Sequence, residues 1–258
     1  MARPEMANLN NPSPRGGEII FNTSYMLNGL SLGRNGASLL VAAAAALVVV
    51  EVVKLLSRAE ILSSYTSRKL LHVSIGLIFL GCWPLFSEDS DGLLFCAAVP
   101  AAITLQFTVI GAGLYKDEAT VKMMSRSGKR QELLLGPLTY GVAMVLLTCA
   151  CWNRRDVAVI SISALCAGDG FADIIGRRYP GYRWKKDGKS LLGSVAYCVA
   201  ALLSVALFAA LGGMQESVTV FQAFVSIFCG ALVEALDSTG FDNATATAAC
   251  AAVAWFCV

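Results

Sequence analysis

Charge is what this sequence has least of. Only 15% of its 258 residues are Asp, Glu, Lys or Arg, against 56% hydrophobic ones, which excludes an ordinary soluble globular domain. There is a single histidine, His72, too few to build a metal site from imidazoles. The 9 cysteines form no C-x-x-C pair and all lie in apolar windows, so they read as small core hydrophobes and not as zinc ligands or disulfide partners. Long runs of period-two alternation are missing too, and with them the strands of a membrane barrel.

What remains is a set of long apolar windows, at about 36–56, 70–86, 93–114, 133–151, 157–176, 191–213, 219–236 and 244–258. Most are long enough for a hydrocarbon core roughly 30 Å thick, and lipid-exposed backbone must satisfy its own hydrogen bonds. The expectation is an all-α polytopic transmembrane bundle of seven or eight helices. The first window carries Glu51 and Lys54 near its end, and the last is short. Residues 36–258 read as one membrane-embedded domain behind a polar, flexible leader, 1–35. In that leader Glu5 and Glu18 dilute Arg3, Arg15 and Arg34, unlike a transit peptide. The first apolar run starts near residue 37, later than in a secretory signal, and serves as the first helix.

Lys and Arg alternate between connections. Arg58, Arg68 and Lys69, then Lys116 to Arg130, then Arg177 to Lys189 mark one side, which the positive-inside rule makes cytosolic or its equivalent. Opposite lie Ser87 to Gly92 and Met214 to Ser217, with no basic residue, and the exceptions Arg154 and Arg155. Asn22-Thr23-Ser24 is a glycosylation sequon on that opposite side, favouring the endoplasmic reticulum over a plastid.

Within the fifth window the segment from Cys166 to Arg178 carries Asp169 and Asp173, four apart and on one helical face. Carboxylates inside an apolar span imply a function. Gly168, Gly170 and Gly176 would let a backbone or ligand come close, and the basic cluster follows at once. Together they describe a site for a divalent metal and a polyphosphate. Lys185 to Ser194 contains Gly-Lys-Ser but is no P-loop, because Arg183 stands where the required earlier glycine should be. Lys189, Ser190 and the backbone N–H groups at the following helix start could still bind phosphate, or the lysines could simply anchor topology. Arg68 and His72, also four apart, could close the site or serve as a topology signal and a core histidine. Parity puts Glu234, Asp237 and Asp242 on the same side as the basic loops. Glu234 is set among apolar residues, whereas Asp237 and Asp242 could equally form a solvated turn.

Four motifs in order give the chain a resemblance to the prenyl-alcohol kinases (phytol, farnesol and dolichol kinases), which look related to the CTP-using phosphatidate cytidylyltransferases. They are Ala167 to Arg177, Lys189 to Ser194, Val233-Glu234-Ala235 and Gly240-Phe241-Asp242-Asn243. The resemblance covers roughly 65–250 and departs after Asn243, where Ala244-Thr245-Ala246-Thr247 replaces the expected Leu-Thr-Val-Pro. It implies transfer of the γ-phosphoryl group of CTP to the hydroxyl of phytol, farnesol or geranylgeraniol, with Mg²⁺ or another divalent cation and no nucleic-acid partner. On that reading Asp169 and Asp173 are metal or nucleotide ligands, and Arg177, Lys185 and Lys189 clamp phosphates. Glu234 or Asp242 is a second metal ligand or the base. A CTP-dependent cytidylyltransferase and an ion-coupled transporter remain as alternatives; against transport, the two chain halves show no self-similarity.

Overall fold

The computed structural model describes residues 16–179, 181–184, 188–211, 214, 218–237 and 242–258, with side chains from Gly29 onward except at residue 30. Ten α-helices follow one another among these residues: α1 (Gly16–Arg58), α2 (Ser64–Cys82), α3 (Ser90–Ala112), α4 (Glu118–Met124), α5 (Gly136–Ala150), α6 (Arg155–Ser163), α7 (Asp169–Arg178), α8 (Leu191–Ala210), α9 (Val220–Leu236) and α10 (Asp242–Cys257). The protein is an all-α bundle, and among the described residues six stretches are long and apolar enough to cross a membrane. Each of the eight apolar windows coincides for most of its described length with a helix. However, α9 and α10, with 17 and 16 residues, rise only about 25 Å each at 1.5 Å per residue.

Local signals start the helices where the chain must turn. The side chains of Ser63, Asp89, Asp117 and Ser190 accept from backbone N–H groups three residues on, capping α2, α3, α4 and α8. Thr219 and Gln222 form a reciprocal capping box at α9. Helix α3 ends at Gly113, whose φ of 80° only glycine adopts at low cost.

The boundary expected at residue 36 falls inside α1, which runs unbroken from Gly16 to Arg58. The polar residues around position 36 dock on the connection before α3: Arg34 and Ser38 donate to the carbonyl of Leu85, and Asn35 bonds Ser87. Residues 1–15 and the sequon side chains lie outside the described residues. The exceptions to the charge rule are partnered: Arg154 stacks over Trp255 at 4.7 Å, and Arg155 pairs with Glu88. Without the expected proline, α10 starts at Asp242 and runs unbroken to Cys257.

Helices α6 and α7 are halves of one span joined by a π-helical turn, Ala164–Gly168. Of its apolar window 78% is buried, against 17% for the first span, so it is the axis around which the bundle packs. Its first half, from Val157 to Ala167, is accordingly buried on every side. Gly168 faces the Tyr197 ring of α8, and Gly176 meets Gly193 and Ser190 at the start of α8. A methyl group at Gly170 would fall 2.3 Å from Val73 of α2. Glycine thus lets α2 and α8 close on the axis tightly enough to place their charges around Asp169.

Candidate active site

The π-helical turn ends where the charged cluster begins, a common position for such turns near functional groups. His72 of α2 places Nε2 2.9 Å from the Leu165 carbonyl oxygen and 3.2 Å from Asp169 Oδ2. Two acceptors facing one ring nitrogen mean that Nε2 carries the proton. Tyr140 of α5 braces this histidine, with its ring centroid 4.4 Å away and its hydroxyl donating to the His72 carbonyl. Lys69, one turn earlier, lies 3.2 Å from Asp169 and 3.0 Å from Asp173. Arg177 donates to the other Asp173 oxygen.

On the opposite side of Asp169, Lys189 bridges two acids from the last two helices. Its Nζ is 2.7 Å from Asp242 Oδ2 and also pairs with Glu234. Burial opposes charge on this lysine, but Glu234 and Asp242 outweigh it and hold its pKa above the usual value. Oxygens of Asp169, Glu234 and Asp242 lie within 4.8 Å of one another. That spread exceeds the about 4 Å between opposite ligands of Mg²⁺ by less than one ångström. Asp169 and Glu234 are 7% and 4% exposed. Among the described residues, Glu234 Oε2 has no hydrogen-bond partner, which is costly for a buried carboxylate oxygen. A hard cation fits this donor set: three convergent carboxylates, one with an oxygen to spare, beside an ammonium already attracted to two of them.

The residues singled out in the sequence do not all converge. Asp169, Glu234 and Asp242 form one group, whereas Asp173 turns to Lys69 and Arg177. Gly168 and Gly170, expected at a cofactor, pack against Tyr197 and Val73 instead. Ser190, with its hydroxyl expected at the phosphates, lines the cavity, is 3% exposed and accepts from the Gly193 N–H to cap α8. Arg68 lines the cavity together with Arg126 and Arg183, but Lys69 is the α2 cation that touches the carboxylates. Lys185 and the Gly240-Phe241 pair lie outside the described residues. Sequence reading missed the roles of Lys69 and Tyr140. The available signal for Lys69 was its three-residue spacing from His72, which shares a helical face as well as the spacing of Arg68 does.

The cluster forms one end of a cavity of about 1140 Å³, whose remainder runs between α1, α2, α3 and α5. Charge at one end and hydrocarbon along the rest can bind a cation and an anion beside an apolar molecule.

Known proteins share the sequence. The chain is 41% identical over 199 residues to a chloroplastic farnesol kinase of Arabidopsis thaliana, covering 73% of this chain and 64% of that protein. It is 39% identical over 211 residues to a probable chloroplastic phytol kinase 1 of Glycine max, covering 78% and 70%. With a chloroplastic phytol kinase 1 of Arabidopsis thaliana it shares 32% over 154 residues, covering 59% and 51%. The chain thus spans about half to two thirds of the length of these relatives. Their names give no support to the endoplasmic reticulum expected from the sequon. No protein-family model and no solved structure matches.

Proposed function

The chain belongs to the phytol and farnesol kinase family, and we propose that it is a membrane-embedded kinase transferring the γ-phosphoryl group of a nucleoside triphosphate, CTP being the expected donor, to the hydroxyl of an isoprenoid alcohol. The observation that carries this reading is the convergence of Asp169, Glu234 and Asp242 beside Lys69 and Lys189, at the polar end of an otherwise apolar cavity.

Phosphoryl transfer asks mainly for positioning and for neutralisation of charge on the phosphate oxygens. Asp169, Glu234 and Asp242 are the residues that would hold Mg²⁺ or another divalent cation. A bound cation of this kind screens the phosphate charge and orients the transferred group. Lys189 and Lys69 flank the three carboxylates and supply fixed positive charge for the phosphates. Asp173 holds Lys69 and Arg177 in place from the other side, which makes it a positioning residue on this reading. As the hydroxyl oxygen bonds to the γ-phosphorus, the bond from that phosphorus to the β-phosphate oxygen breaks, the nucleoside diphosphate leaves, and the alcohol proton passes to a carboxylate of the cluster. Only the hydroxyl has to reach the charged end, so the rest of the substrate stays within the bundle. The relatives' names support a plastid membrane as the site of action.

Membranes carrying the wild type or Asp169→Ala test this with γ-labelled CTP or ATP and farnesol, geranylgeraniol, phytol or dolichol. Labelled prenyl monophosphate that is lost in the variant is the expected result, and the donor preference follows from the same assay. Formation of a CDP-lipid with release of pyrophosphate would replace kinase by cytidylyltransferase. Ion flux without lipid product would point to transport.

A further inference from the structure

We propose that the apolar arm of the cavity holds the chain of the acceptor alcohol, and that its floor of Ala42, Phe79, Val99 and Met144 sets the chain length the enzyme accepts. The inference rests on the kinase reading of the charged end.

The arm and the charged end are one space. Along α2, His72 at the charged end and Phe79 at the floor are seven residues apart, or about 10 Å at 1.5 Å per residue. Along α1, Val50 and Ala42 line the same arm eight residues apart, or about 12 Å. Since the hydrocarbon core is roughly 30 Å thick, the arm ends within the membrane interior. The four floor residues come from α1, α2, α3 and α5 and are 2%, 4%, 7% and 1% exposed, so the arm is closed below by packed core.

The walls state what the occupant is. Three hydroxyls line the arm, and each is spent on a backbone carbonyl: Thr104 on Pro100, Thr139 on Leu135 and Tyr140 on His72. They have no proton left to offer an occupant, so the arm rewards apolar surface alone. A molecule with one polar end and a hydrocarbon remainder matches a cavity polar at one end only. A nucleotide does not, because its sugar and base would lie unpaired along the arm. Ala42 is the small member of the floor, and a larger side chain there would shorten the arm from the α1 side. Met144 is the flexible one, and its truncation would deepen the arm.

Wild type, Ala42→Phe and Met144→Ala would be compared for kcat/KM with geraniol, farnesol and geranylgeraniol. Ala42→Phe should lose about ten-fold or more for geranylgeraniol while keeping most of its activity with geraniol. Met144→Ala should shift the preference the other way. Equal scaling of all three alcohols in both variants would overturn the proposal, as would an unchanged ladder with a phospholipid copurifying in the arm. A photoreactive alcohol carrying its diazirine at the tail end gives a readout that does not need turnover. Cross-links at Ala42, Phe79 or Met144 support the arm even if no alcohol is phosphorylated, in which case only the kinase reading falls. Cross-links confined to the outer surface of α1 would overturn the arm while leaving an active kinase standing.

Discussion

The two ends of this bundle both bury polar groups, yet they are built on opposite terms. At the end away from the carboxylates, Asn35 and Ser31 of α1 meet the short segment before α3. Asn35 donates to Ser87 Oγ at 2.7 Å and accepts from the Ser87 N–H at 2.8 Å. Ser87 and Ser31 donate to Asp89, which also caps α3 through Gly92. Every one of these groups closes on a neighbour, and two stretches of chain supply them all. At the other end, four carboxylates and three cations come from α2, α7, α9, α10 and the approach to α8, and Glu234 keeps an unpartnered oxygen. The Asn35–Ser87 network closes on itself, whereas the carboxylate cluster leaves an oxygen that a ligand could satisfy.

Breaking the charged end should produce the largest effect. Asp169→Asn preserves shape but removes the charge shared by Lys69 and the cation group, so phosphoryl transfer should fall at least about 100-fold. A radiochemical assay on membranes with matched amounts of inserted protein measures it; near-normal turnover would make Asp169 merely structural. Next in size is the response to metal. A chelator should abolish transfer, and saturating Mg²⁺ should raise the thermal midpoint of the wild type by roughly 5 °C but leave Glu234→Gln unmoved. An equal rise in both would detach Glu234 from the cation.

The opposite end should answer in stability alone. Asn35→Ala leaves the half-buried Ser87 N–H without its acceptor, a loss of about 1 kcal/mol, while kcat/KM per folded molecule stays the same. A change in KM would break the separation between the two ends. The smallest effect is in pH. Asp89 is held down to about 2 by the Ser87 and Ser31 hydroxyls and the Gly92 N–H. Its contribution is full above about 3.9 and fades as pH falls from there. For Lys189, raised by Glu234 and Asp242 against its burial, the contribution is full below about 10.4 and is lost as pH rises further. Melting curves of Asp89→Asn should therefore approach the wild type in acid and those of Lys189→Met in alkali. Convergence of both at the same end of the scale would contradict the assignment.

Much of this was legible in the residues. Asp169 and Glu234 stood out because a carboxylate in an apolar span has no bland explanation. Asp169 and Asp173 do share a face, since Lys69 touches both, but four residues advance a helix by about 6 Å, which sets Asp173 beside Arg177 and leaves Asp169 with Glu234 and Asp242. Choosing between Arg68 and Lys69 was beyond the sequence as well. They are neighbours about 100° apart, and only the packing of α2 against the axial span decides which one points inward. The glycines were read as admitting a backbone or a ligand, and Gly168, Gly170 and Gly176 admit Tyr197, Val73 and Gly193, since a missing Cβ marks a close approach without saying by what.

By itself the sequence determined a helical membrane bundle with its cations and buried acids gathered at one end, because composition, span length and loop charge act locally and need no knowledge of neighbours. Tertiary structure alone decided that Asp169 joins Glu234 and Asp242 and that their cluster opens into an apolar arm closed by Ala42, Phe79, Val99 and Met144. Those facts depend on the rotation and depth at which distant helices pack, and no single segment carries that information.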